Sequence, residues 1–146
     1  MNTTPVQTVA AALIAARQAR QPADDSALAA LLTSAEQAYA VQALVAQTLP
    51  GTGRRPAWKS GGPSRSAPLT HARLPDAGVW TSPAVTGQFH FHLRLIEAEI
   101  ALRLGDDVTP AQAAALTPES ASSLVEAMAV SIEVVDSRWQ QGTQAA

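Results

Sequence analysis

The sequence predicts an α+β protein, helical to about residue 50 and mixed and β-rich beyond it. Three observations predict this class. Apolar residues recur at helical spacing through the first part. A turn-rich stretch follows, from Arg54 to Gly87. Beyond it, two runs ending at Leu104 and Asp136 alternate or concentrate strand-forming residues. The organisation expected is a helical region over residues 1–50 and a β-rich core over 51–146, forming one structural unit overall.

The elements follow in order. Val6 to Ala19 reads as a helix, with Val6, Val9, Ala10, Leu13, Ile14 and Arg17 at helical spacing and alanine lowering the cost of ordering. Pro22 and Asp24-Asp25-Ser26 end it, and Ala27 to Leu32 is a short helical piece. Thr33, with Glu36 three residues on, offers a capping box for a helix from Ser34 to about Leu49, closed by Pro50-Gly51-Thr52-Gly53. Ala57-Trp58-Lys59-Ser60 is a short extended candidate broken by Gly61-Gly62-Pro63. Gln88 to Leu104 reads as one long strand with a bulge or bend inside it. His90, His92 and Arg94 fall on one face of it, and Phe89, Phe91, Leu93 and Leu95 on the other. Thr109-Pro110 and Thr117-Pro118 are cap-then-proline starts for helices over 110–115 and 118–127. Met128 to Asp136 is the last strand.

Composition removes whole classes of function. With 10 basic and 12 acidic residues mixed along 146 positions, nothing supports nucleic-acid binding. The absence of cysteine excludes disulfides, a thiolate nucleophile and a zinc–thiolate site. No apolar run reaches the length of a membrane span, and the polar N-terminus is no signal peptide, so a cytoplasmic protein is expected. Glycine-rich phosphate loops and G-x-S-x-G are absent, which leaves nucleotide cofactors and a serine nucleophile without support.

The chemistry concentrates in carboxylates. Glu97 and Glu99 are two apart on a strand, so both point to one face. Like charges placed so need screening or a cation, and carboxylate oxygens suit magnesium, calcium or manganese. The apolar row turns acidic midway, as if the strand left the core and entered a pocket. Glu133 shares its face with Ala129, Ser131 and Val135, where a charge needs a partner, and it completes a three-carboxylate metal set. Asp136 falls on the opposite face, placed to pair with Arg138 or to cap a turn. The bland alternative is a solvated strand with the glutamates paired to Arg94, Arg103 or Arg138. Lys59 beside Gly61-Gly62 suits proton transfer or an anion contact, and Ser64 and Arg65 suit a substrate carboxylate; surface lysine, serine and arginine are the commoner explanation. His90 and His92 lack a third ligand nearby and read as surface or core-edge residues. Trp58, Trp80 and Trp139 read mainly as packing residues.

Four segments in one order carry a resemblance: Ala38-Tyr39-Ala40-Val41-Gln42, Trp58-Lys59-Ser60-Gly61, Ile96-Glu97-Ala98-Glu99-Ile100-Ala101, and Ile132-Glu133-Val134-Val135-Asp136-Ser137-Arg138. Together they resemble the 2-keto-4-pentenoate hydratases of the fumarylacetoacetate hydrolase superfamily, over roughly Val6 to Trp139. The resemblance implies a fumarylacetoacetate-hydrolase-like core and a lyase binding Mg2+ or Mn2+ through Glu97, Glu99 and Glu133. It implies that Lys59 is the proton-transfer or electrostatic residue. The reaction implied is hydration of 2-hydroxypenta-2,4-dienoate to 4-hydroxy-2-oxopentanoate, a step of aromatic-compound catabolism. Alternatives within reach are a decarboxylase of 2-oxo diacids such as 4-oxalocrotonate, and a non-catalytic partner subunit that keeps the ligands without a pocket. Partners implied are a small 2-oxo acid, further copies of the chain or a decarboxylase partner. Two departures stand out. Gly61-Gly62-Pro63-Ser64-Arg65 replaces the family's usual continuation after W-K, and the family's closing strands would lie beyond Trp139, so an incomplete core is expected.

Overall fold

The computed structural model describes residues 3–142 except 52, 54, 55, 63, 65 and 88. It is α+β, with N-terminal helices followed by small β-sheets. The described chain divides into two compact units, Met1–His92 with Ser137–Ala146, and Leu93–Asp136.

The first unit is built on two helices. α1 (Pro5–Ala19) starts at Thr4, whose Oγ1 accepts from the Gln7 amide while Gln7 Oε1 accepts from the Thr4 amide. Pro5 at the first helical position sacrifices only an N–H that has no helical partner anyway. The helix stops at Arg20, whose left-handed backbone (φ 55°) turns its amide back to the carbonyls of Ala16 and Arg17. α2 (Ala35–Gln47) is capped one residue later than the sequence suggests. Ser34 Oγ accepts from the Gln37 amide at 3.3 Å, and Gln37 Oε1 accepts from the Thr33 amide at 2.7 Å. Gln37, and not Glu36, is the third helical residue, and its side chain reaches past the cap to Thr33.

The two helices meet through Val9, Ala10 and Val41, with Val6, Leu13, Leu28, Leu32, Leu44, Val45 and Trp139 packed round them. Val9 is 1% exposed, and burying it fully is worth about 1.5 kcal/mol. Trp139 is held by backbone bonds on either side of Ala23: the Ala23 amide donates to Arg138 O, and the Gln140 amide to Ala23 O. Its reading as a packing residue holds. Beside this core Asp25 is 3% exposed and its Oδ2 has no hydrogen-bond partner. Burial, and then the like charge of Arg138, lower the pKa of the half-buried Arg17. The unit also holds a short hairpin of β1 (Trp58–Gly61) and β2 (Thr70–Arg73). The second of these strands is absent from the sequence reading, because T-H-A-R carries no strand pattern.

The second unit is a long antiparallel ribbon of β3 (Leu95–Leu104) and β4 (Val125–Val135). The connection carries α3 (Pro110–Ala114) and α4 (Pro118–Ser122), both started by the threonine caps that the sequence indicates. Three boundaries differ from expectation. β3 begins at Leu95, and Gln88, where the sequence places the start, lies outside the described residues. Arg94 has φ 57°, a left-handed conformation that an extended strand cannot contain, so β3 starts at Leu95. His90 and His92 therefore share no strand face. At the far end α4 stops at Ser122 and β4 begins at Val125, earlier than Met128, because the Gly105 amide donates to Leu124 O and draws the chain into pairing. A bulge interrupts the register there. Arg103 pairs with Ala127 and Leu104 with Val125, leaving Glu126 as the extra residue, 3.2 Å from Arg103 Nε.

Candidate metal centre

Register brings the predicted ligands together. Glu97 lies directly across from Glu133, and Glu99 across from Ser131. Residues opposite one another in an antiparallel pair share a face, and so do residues two apart on one strand. Glu97, Glu99 and Glu133 therefore project from the same side of one ribbon. One carboxylate oxygen from each can be chosen so that all lie within 4.8 Å of one another. Glu97 is exposed, and Glu99 and Glu133 are half-buried.

The arrangement can hold a divalent cation. Two ligand oxygens on one magnesium stand at most about 4.2 Å apart, and on calcium about 5 Å. The spacing thus falls within the reach of a hard cation after small rotations of the three side chains. Three carboxylates also form the donor set such ions take. The flanking cation Arg103 is engaged with Glu126, at 3.2 Å. Asp136 closes the base of the ribbon, its Oδ1 accepting from the Leu93 amide at 2.9 Å.

One expectation about this face is corrected. The apolar row beside the glutamates is not a buried core row: Leu95, next to Glu97 on the same face, is 47% exposed.

The other candidates lie in the first unit. Lys59 sits half-buried on β1, in register with Ala72. Gly62 ends that strand where a Cβ would stand 3.3 Å from Pro68 O, so the glycine lets the backbone turn tightly after Lys59. Ser64 is exposed and within 3.3 Å of Ser66 Oγ. Arg65 lies outside the described residues. His90 and His92 pack edge to face, ring centroids 4.9 Å apart, and join no three-ligand group among the described residues. One grouping escaped the sequence reading altogether. Tyr39 stacks on His71 at 4.6 Å, with Trp58 tilted beside the imidazole at 6.0 Å. It depends on β2, the strand without a sequence signal.

Searches against protein-family models, curated proteins and solved structures give no match. Among the described residues, no helix is long and apolar enough to cross a membrane.

Proposed function

We propose that this chain is a divalent-metal-dependent lyase of the 2-keto-4-pentenoate hydratase type, acting on a small 2-oxo acid. The observation that carries the reading is the convergence of Glu97, Glu99 and Glu133 on one ribbon face. The same three residues are those the hydratase resemblance marks as ligands. A bound Mg2+ or Mn2+ supplies Lewis-acid polarisation of the substrate's 2-oxo group. Glu97, Glu99 and Glu133 would hold the cation. The resemblance gives Lys59 the proton-transfer or electrostatic role. Water adds at the conjugated end of 2-hydroxypenta-2,4-dienoate, giving 4-hydroxy-2-oxopentanoate.

A second reading, the non-catalytic partner subunit, draws support from the bare apolar side of the same ribbon, where Val130 is 78% exposed. Binding and turnover separate the two. Manganese titration followed by electron paramagnetic resonance should show one ion per chain, at least tenfold weaker in Glu97→Gln and unchanged in His90→Ala. Loss of the dienol absorbance then reports hydration, and Lys59→Ala should abolish it with manganese binding intact. Binding without turnover in the unsubstituted protein favours the partner subunit. No binding at millimolar manganese, or loss of binding in His90→Ala, removes the metal site.

A further inference from the structure

The ribbon has a second face, opposite the glutamates. Ile96, Ile100 and Leu102 on β3 alternate with the carboxylates and lie beside Met128, Val130 and Ile132 on β4. These six side chains are between 58% and 78% exposed. Between Ile96 and Leu102, and between Met128 and Val134, no polar residue interrupts this face.

Such a surface is costly to leave in water. Full burial of one large aliphatic side chain is worth about 1.5–3 kcal/mol, and a two-stranded ribbon alone is marginal at best. The area indicates the occupant. Six large aliphatics so exposed leave several hundred Å² of apolar surface bare, approaching the ~800 Å² that each partner brings to a standard interface. Few monomers expose that much without an interaction to make. The absence of charge decides further. A patch with neither acid nor base has no preference for an oppositely charged partner, and it is complementary to itself. Twofold assembly needs only one such patch.

We infer that two copies of this chain pack these faces together about a twofold axis, ribbon against ribbon. Face-to-face sheets stand about 10 Å apart, so the aliphatic side chains of the two copies interdigitate and fill the layer between them. Both glutamate faces then point outward. The inference holds whether or not a metal binds, because it uses the other side of each strand.

Sedimentation velocity on the full chain, from low to high micromolar concentration, is the direct test. A species of twice 15.2 kDa is expected. Val130→Lys and Val130→Glu should each weaken dimerisation at least a hundredfold, and an equimolar mixture of the two should restore it. The chain has no cysteine, so a single introduced thiol reports position without background. Val130→Cys should be joined across the interface by a short bis-maleimide, and Ala129→Cys, on the glutamate side, should not. This comparison stands even if the charged variants fail to fold. A monomer at every concentration, polydisperse aggregate in place of a dimer, a dimer indifferent to both Val130 charges, or equal linking from the two thiols overturns the inference.

Discussion

Glu133 faces Glu97 across the ribbon, and this single juxtaposition has opposite consequences with and without a cation. Without one, opposed carboxylates repel; with one, they are ligands. Glu133→Gln should therefore weaken manganese binding at least tenfold, read by electron paramagnetic resonance titration. A merely solvated acidic cluster would bind no manganese before or after the substitution. At this scale the sequence was partly legible. Glu97 and Glu99 announced a shared face, since strand side chains repeat every two residues. Glu133 is legible as a charge among small and apolar neighbours on its strand face; that it stands directly across from Glu97 is not, because register depends on both strands and on the bulge between them. Arg94 was illegible. A left-handed arginine has no local signature, so nothing in the sequence marks Leu95 as the start of the strand.

Among the elements, the caps were the most readable features and also the easiest to misplace by one residue. Thr109 and Thr117 stand where proline follows directly, which leaves one choice of start. At α2, Thr33 and Ser34 compete, and Gln37 settles on Ser34. Ser34 also holds the Glu36 carboxyl below its ordinary pKa by a side-chain hydrogen bond, with the helix-end amide adding to it. A depressed folded pKa means that the stabilising effect is complete above the unfolded value, about 4.3, and disappears as pH falls through the folded one. Ser34→Ala should cost about 1 kcal/mol at neutral pH. It should also move the Glu36 titration, followed by NMR, back up toward the unfolded value. The short hairpin of β1 and β2 shows the opposite case. T-H-A-R becomes a strand through pairing with Trp58–Gly61, a tertiary cause that no local pattern encodes.

The described chain is two units, one built on a small helical core and the other on a ribbon. Metal binding should separate them. At manganese concentrations a hundred times the dissociation constant, linkage adds about 2.7 kcal/mol to whatever binds it. Hydrogen exchange should then slow in Leu95–Leu104 and Val125–Val135, with Pro5–Ala19 and Ala35–Gln47 unchanged. Equal slowing everywhere would contradict a site confined to the ribbon. The α+β class and the helix-first order were legible at this scale, because periodicity is a long-range average that survives local errors. The Glu126 bulge carries a last implication, for how such a gene can vary. Insertions or deletions between Gly105 and Leu124 only resize a connection. Adding one codon between Glu99 and Arg103 would turn Glu97 and Glu99 to the oily side, unless the bulge moved to absorb it.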